Sequence, residues 1–105
     1  MQPSITARHC EISDALRDRA VAVVQRLSNL AARSMESTVV FDSDGLQQTV
    51  EIRLHVPRGE VLVARGGGPD HRTALDRAEE RLKRQLERVI DRPRRTRSAP
   101  TDNAR

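Results

Sequence analysis

Two long segments with helical periodicity lie on either side of a stretch that has room only for short strands. Residues 13–33 and 71–91 contain no glycine or proline, and apolar side chains recur in both at three- and four-residue steps. Ser13 and Asp70 stand at their starts as N-cap residues, and Pro93 is expected to end the second helix. The second helix is expected to bury Leu75, Ala78, Leu82, Leu86 and Val89. The sequence therefore predicts two amphipathic helices.

Four shorter segments have the character of β-strands. Residues 49–56 alternate strictly between polar and apolar side chains, the pattern of a strand with one buried face. Residues 4–10 alternate more loosely, residues 38–41 are β-branched or aromatic, and residues 61–64 are apolar throughout. One predicted strand thus precedes the first helix, and three lie between the helices.

Turn-forming residues separate the last three predicted strands. We expect turns at residues 42–45 and 57–59, and we expect the three glycines at 66–68 to close the fourth strand. The order β-α-β-β-β-α predicts an α+β domain with a four-stranded sheet and two helices packed on one face. The first helix would cross over between parallel strands, and the last three strands would form an antiparallel meander. A chain of 105 residues makes one such domain, which excludes a multidomain enzyme.

The composition restricts the core and the cellular setting. Phe41 is the single aromatic residue, so the core must be aliphatic and a platform of stacked aromatic side chains is excluded. Cys10 is the single cysteine, which excludes an intramolecular disulfide and suits a reducing compartment. The sequence has neither an apolar run of membrane-spanning length nor the start of a signal peptide, so we expect a cytosolic protein.

The charge of the chain is unevenly distributed. The 19 basic residues, 18 of them arginine, outnumber the 15 acidic ones, and this favours a polyanionic partner, with nucleic acid before an anionic membrane. Residues 1–91 are balanced, whereas residues 92–105 hold five arginines against Asp102. We predict a folded domain over residues 1–92 and a basic disordered tail over residues 93–105.

The charges of the second helix are sorted by sign. At about 100° per residue, five arginines share an arc of about 80° on one flank, and the acidic residues occupy the other flank. Neighbouring like charges on a helix cost a few tenths of a kcal/mol each, so the sorting favours a function over a merely solvated helix face. The five are Arg77, Arg81, Arg84, Arg88 and Arg92.

The first helix carries a weaker version of the same pattern. Arg19, Arg26 and Arg33 follow its apolar seam at seven-residue intervals, with Arg17 on the other side. The two helices could therefore frame one basic groove, in which guanidinium groups would bind phosphate oxygens in pairs.

Other kinds of site find no support in the sequence. His9, Cys10, His55 and His71 do not have the spacing of a metal-ligand set. The glycines before the second helix lack the Lys-Ser/Thr pair of a phosphate-binding loop, and no serine, histidine and aspartate form a catalytic arrangement. We therefore expect no enzyme, no metal and no cofactor.

Two segments at the starts of the predicted helices are similar to a known family. Residues 11–17 are Glu-Ile-Ser-Asp-Ala-Leu-Arg, and residues 70–76 are Asp-His-Arg-Thr-Ala-Leu-Asp, followed at residues 81–86 by Arg-Leu-Lys-Arg-Gln-Leu. These motifs resemble the ribosome hibernation-promoting factors, the family that includes ribosome-associated inhibitor A. The segment at 61–64 fits that family's last strand, so the resemblance covers roughly residues 4–92.

The resemblance implies a fold similar to a double-stranded-RNA-binding domain and a function on the ribosome. Such a protein binds rRNA of the small subunit in the path of mRNA and tRNA, stops translation by occupancy, and preserves idle ribosomes in stress or stationary phase. The family's basic positions match Arg17, Arg26, Arg81, Arg84, Arg88 and Arg92. Arg72 stands where the family usually has tyrosine, and Val23 stands where a basic residue is common.

The candidate site combines basic residues of both predicted helices. The predicted RNA-binding residues are Arg17, Arg26, Arg77, Arg81, Lys83, Arg84, Arg88 and Arg92. The chain is too short for the dimerisation domain of long family members, so we expect the short form, and a second hibernation factor is left open as a further partner.

Two other functions remain as alternatives. One alternative is a protein-interaction module that uses the acidic flank or a strand edge. The other is a general RNA or DNA binder that acts through the tail.

Overall fold

The computed structural model describes residues 3–30, 36–55 and 61–102, with side chains described as far as Val89. The elements are β1 (Ser4–Ala7), α1 (Asp14–Leu30), β2 (Glu36–Asp44), β3 (Gln47–His55), β4 (Val61–Gly68) and α2 (His71–Asp102). The sheet order is β1-β2-β3-β4, with β1 and β2 parallel and the other pairs antiparallel. The predicted α+β fold, crossover helix and meander are therefore confirmed.

The core lies between one face of the sheet and the two helices. Val50, Ile52 and Leu54 of β3 are buried, as the alternation predicted, and Val39 and Phe41 of β2 are fully buried beside them. Val56 and the predicted turn at 57–59 lie outside the described residues. The helices contribute Ala20, Val23, Val24, Leu27, Ala74, Leu75, Ala78, Leu82 and Leu86. Val89 is only half-buried and Leu30 is exposed, because both lie near the ends of the packed region.

Both helices begin at the residues predicted to cap them. The Ser13 hydroxyl accepts a hydrogen bond from the Leu16 amide at 3.1 Å. The Asp70 carboxylate accepts one from the Thr73 amide at 2.8 Å, and this bond lowers the pKa of the carboxyl group. Each cap satisfies an amide that a helix start leaves without an intrahelical partner.

The hairpin between β2 and β3 is tighter than predicted. Asp42 and Asp44 pair with β3 instead of forming a turn, so only Gly45 and Leu46 connect the strands. Gly45 has φ +65°, a conformation that glycine adopts at little cost. Two residues suffice for such a hairpin, so the polar residues before Gly45 remain in the ladder.

The three glycines at 66–68 form part of β4, and the predicted turn there is wrong. Gly66 is buried under α2, and a Cβ at this position would lie 2.6 Å from the Ala78 amide nitrogen. The glycines therefore continue the strand and let the helix backbone approach it closely, a role of glycine that periodicity does not reveal.

The second helix is longer than predicted, since its backbone is helical to Asp102. Proline removes one helical hydrogen bond, but its fixed φ near −65° is itself a helical value. The prediction that Pro93 ends the helix is therefore wrong. The division into a domain over residues 1–92 and a separate basic tail stays a prediction, and residues 103–105 lie outside the described part of the chain.

Candidate RNA-binding surface

Three side chains of α2 bind the backbone of β4 along the edge that has no neighbouring strand in the described sheet, here called the outer edge of β4. The Arg77 guanidinium donates from Nη1 to the Gly67 carbonyl at 2.6 Å. Arg81 Nη1 donates to the Arg65 carbonyl at 2.7 Å. Gln85 Nε2 donates to the Val63 carbonyl at 2.9 Å.

The spacing of these contacts follows from the geometry of the two elements. Four residues of an α-helix advance about 6 Å, and two residues of a β-strand advance about 6.6 Å. Each successive turn of α2 therefore reaches the next outward carbonyl of β4. Edge strands expose backbone groups that natural proteins usually cover, and here α2 covers the carbonyls.

The two arginines keep most of their hydrogen-bonding capacity. A guanidinium group has five N–H donors in a rigid fork, and each of these groups gives one Nη1 to a carbonyl. Both side chains are exposed. Arg77 and Arg81 are thus anchored to the strand while still presenting charge and donors to solvent.

The acidic flank of α2 faces α1. Arg19 donates from Nη2 to Asp76 Oδ1 at 3.0 Å. Arg26 donates two hydrogen bonds to the Glu79 carboxylate, with distances of 3.0 and 3.1 Å, and this hydrogen bonding raises the pKa of Arg26. Arg19 and Arg26 of α1 are therefore paired with acidic residues of α2 at the seam between the helices.

This arrangement changes the interpretation of the sorted charges. Part of the cost of like-charge neighbours is offset by tertiary contacts, since Asp76 and Glu79 pair with arginines of α1, and Arg77 and Arg81 bind carbonyls of β4. The predicted basic groove between the helices does not form, because Arg19 and Arg26 turn toward the acids of α2. Arg33 lies outside the described residues.

The remaining predicted residues are dispersed. The side chains of Arg17, Lys83 and Arg88 are exposed and form no hydrogen bond or ion pair with the described residues. Arg84 lies 3.4 Å from Glu80, one helical turn earlier. At 100° per residue, Lys83 falls on the acidic flank of α2, away from the arginines. Arg92 belongs to the helical backbone of α2, and side chains are described only as far as Val89.

The two departures from the family pattern differ in their surroundings. Val23 is fully buried in the core, at a position where the family commonly has a basic residue. Arg72 is exposed and lines a cleft of about 480 Å³ between the starts of the two helices. The neighbouring His71 is part of the fold, because its Nε2 lies 2.8 Å from the Asp42 carbonyl and its ring packs edge-on against Phe41 at 5.5 Å.

Other chemistry is sparse in the part of the chain that the structure describes. Those residues hold no cluster of three or more histidine, cysteine, aspartate or glutamate side chains suited to a metal ion. Cys10 is half-buried, and burial and then the nearby Asp42 raise the pKa of its thiol. No described helix is long and apolar enough to span a membrane.

Sequence reasoning missed Gln85 and the strand carbonyls as parts of this surface. A glutamine one turn after two stripe arginines is a signal in retrospect, since residues 77, 81 and 85 are spaced four apart. This spacing can be interpreted only when β4 is known to lie beside these residues. The three glycines predicted a turn there, so the sequence did not indicate the strand.

Comparison with known proteins places the chain in a family. The profile of the family described as Sigma 54 modulation protein / S30EA ribosomal protein matches residues 4–94, so the chain belongs to this family of ribosome-associated factors. It is 33% identical over 88 residues to the ribosome hibernation promoting factor of Pseudomonas putida, covering 84% of this chain and 85% of that protein. The resemblance to the hibernation-promoting factors is therefore confirmed.

Two further comparisons agree with this assignment. The ribosome hibernation promoting factor of Escherichia coli is 33% identical over 91 residues, which cover 87% of this chain and 95% of that one. The crystal structure of the Thermus thermophilus Protein Y N-terminal domain superposes with a TM-score of 0.74 at 29% identity. That match covers 82% of this chain and 94% of the other.

Proposed function

We propose that this protein binds ribosomes and holds them idle by occupying the mRNA and tRNA path of the small subunit. Membership in the family and the similarity to hibernation promoting factors over most of their length support this function. A partner of ribosomes acts in the cytosol, and preservation of idle ribosomes belongs to stress and stationary phase. The protein acts by occupancy and carries out no reaction.

The observation that carries the proposal is the row of arginines on α2. Arg77 and Arg81 are anchored on β4, and the exposed Arg84 and Arg88 continue the row. Guanidinium groups bind phosphate oxygens two at a time and stay charged at physiological pH. Since residues 1–91 carry no net charge, it is this local concentration that would attract rRNA.

Cosedimentation with purified ribosomes tests the function. We expect the protein to travel with ribosomes at low salt and to dissociate as salt rises, because phosphate contacts release counterions. Protein that stays at the top of the gradient at low salt, with ribosomes intact, would refute the proposal. Nuclease treatment separates it from the protein-interaction alternative, since a protein partner would survive loss of RNA.

A charge-matched pair of variants tests the site. Arg84 and Arg88 lie beyond the strand contacts, so R84Q/R88Q removes two positive charges and leaves the β4 contacts intact. R8Q/R53Q removes the same charge near β1 and on the uncovered sheet face. We expect the first double variant to bind ribosomes at least tenfold more weakly and the second to stay near wild type. Equal losses would show that net charge, rather than the α2 row, controls binding.

A further inference from the structure

The outer edge of β4 presents amide groups as well as carbonyls. In an antiparallel pair, a residue either exchanges both its backbone hydrogen bonds with its partner or points both groups away. The carbonyls of Val63, Arg65 and Gly67 accept from α2 and hence point away from β3. Their N–H groups therefore point outward along the same edge.

The contacts from α2 change the chemical character of this edge. An ordinary strand edge alternates donors and acceptors, so an approaching anion would meet carbonyl lone pairs as often as N–H groups. Here three successive outward carbonyls, those of Val63, Arg65 and Gly67, already accept hydrogen bonds, two of them from cationic guanidinium groups. A ligand that approaches residues 63–67 therefore meets backbone N–H donors beside the positive charges of Arg77 and Arg81.

Gly67 gives a second, independent indication. A Cβ at Gly66 would meet the backbone of α2, and one at Gly68 would lie 3.0 Å from the Thr73 side chain, so packing requires small residues there. At Gly67 the three atoms nearest to a Cβ all belong to the exposed, flexible side chain of Gln47, which can shift at little cost. Packing therefore does not require this glycine, and glycine is the residue that lets a ligand approach a backbone closely.

We propose that the outer edge of β4 binds phosphate groups of an RNA strand through the amides of Val63, Arg65 and Gly67 together with the guanidinium groups of Arg77 and Arg81. The inference rests on the proposed function and extends it, because it assigns backbone amides of a strand to the RNA site. In this site the carbonyls of Arg65 and Gly67 position the guanidinium groups of Arg81 and Arg77 toward the phosphates.

A polyanion fits this edge better than a protein strand does. A strand that adds to a sheet needs acceptors for its own amides as well as donors for its carbonyls. Between Val63 and Gly67 the outward carbonyls already accept hydrogen bonds from α2, so an incoming strand would have to compete with α2 side chains for these acceptors. A phosphate is acceptor only and meets donors alone.

Amide NMR of the isotopically labelled wild-type protein tests the proposal directly. On titration with short single-stranded oligouridine, we expect saturable shifts of the amides of residues 63, 65 and 67 and of the Nε signals of Arg77 and Arg81. Inorganic phosphate should move the same signals with weaker affinity. Shifts confined to other surfaces, with those amides unmoved at saturation, would overturn the inference.

Proline substitution provides the second test. Gly67→Pro removes one outward N–H, and an edge strand tolerates proline where its N–H faces outward, while Gly67→Ala adds a side chain and keeps the N–H. We expect G67P to bind ribosomes about three- to tenfold more weakly than G67A, with an unchanged salt slope because no charge is lost. Equal affinities of the two folded variants would overturn the inference.

The outcomes separate this inference from the function on which it rests. Wild-type protein that fails to cosediment with ribosomes refutes the proposed function, whereas wild-type binding with equal G67P and G67A affinities refutes only the β4 site. Circular dichroism establishes that both variants are folded. If G67P is unfolded, the titration of the wild-type protein decides the question.

Discussion

At the scale of single residues, Arg81 combines two tasks that a sequence reader would assign to different side chains. One Nη1 holds the Arg65 carbonyl at 2.7 Å, and the rest of the guanidinium group faces solvent. Gln85 performs the first task alone on the Val63 carbonyl at 2.9 Å. The chain therefore contains its own example of a neutral side chain that covers the strand edge.

That example gives a prediction about stability. Arg81→Gln should retain a donor for the strand carbonyl and leave the free energy of unfolding within about 0.5 kcal/mol of wild type, whereas Arg81→Ala should lose about 1 kcal/mol. Urea unfolding of both variants measures the difference. Equal destabilisation by the two changes would mean that the carbonyl contact does not stabilise the fold. Both variants should bind ribosomes less tightly, because both lose the charge.

The lowered pKa of the cap residue Asp70 makes the free energy of unfolding depend on pH in the acid range. Its carboxylate accepts the Thr73 amide hydrogen bond, which lowers the pKa of the group in the folded state. A lowered folded pKa contributes stability that is complete above the unfolded value of about 3.9 and is lost as pH falls through the folded value. Asp70→Asn keeps an acceptor and cannot titrate.

We therefore expect the free energy of unfolding of D70N to decline less steeply than that of wild type as the pH falls from about 5 to 2. Urea melts at a series of pH values measure the two slopes. Parallel curves would show that the cap carboxylate does not contribute to the acid transition.

At the scale of elements, the close approach of α2 to β4 depends on Gly66. Gly66→Ala would place a methyl group 2.6 Å from the Ala78 amide nitrogen, and neither the helix backbone nor the strand can yield without separating. We expect a loss of about 1–3 kcal/mol or more in the free energy of unfolding. Thermal or urea unfolding checks this.

The adjacent glycine is the matched control for that prediction. Gly67→Ala adds the same methyl group on the opposite face of the strand, where the nearest atoms belong to the exposed Gln47 side chain. We expect this variant to lose less than about 1 kcal/mol. A G67A variant as unstable as G66A would show that strand glycines matter for backbone reasons alone.

Local patterns predicted most of the fold. The strict alternation of β3, the caps at Ser13 and Asp70 and the apolar face of α2 are properties that neighbouring residues determine, and the structure confirms each of them. The β4 glycines were misinterpreted because glycine signals a turn unless another element packs on it.

The candidate site was less accessible to prediction. The helical wheel identified the arginine row, but side-chain partners depend on which element lies beside each flank. Sequence spacing could not show that Arg26 would meet Glu79 across the helix seam, or that Arg77 would meet a strand carbonyl. The contribution of the eight predicted residues to RNA binding stays a prediction.

At the scale of the whole molecule, α2 makes the protein elongated. Its 32 residues correspond to about 48 Å of helix, and the longest dimension of the molecule is 54 Å. Four of the five arginines after Asp91, at positions 92, 94, 95 and 97, belong to the C-terminal part of this helix. They are thus separated along the helix from Arg77 and Arg81, which contact β4.

This separation predicts the behaviour of a truncated protein. Deletion of residues 93–105 leaves the β4 contacts and the arginines at 84 and 88 in place. We expect the truncated protein to cosediment with ribosomes at low salt, but with a shallower salt dependence because fewer phosphates are neutralised. Ribosome binding measured over a range of salt concentrations gives both quantities. Complete loss of binding would identify the C-terminal arginines as the principal site and favour the general nucleic-acid binder.

The unequal steps of helix and strand set a limit on what α2 can cover. Four residues of the helix advance about 0.6 Å less than two residues of the strand. The third contact is therefore offset by about 1.2 Å relative to the first. A fourth contact would join residue 89 to the carbonyl of Val61, and Val89 has no donor to offer. Because the offset grows with every turn, one straight helix can bind only a short run of outward carbonyls, and a longer β4 would have to bend, bulge or be covered by another element.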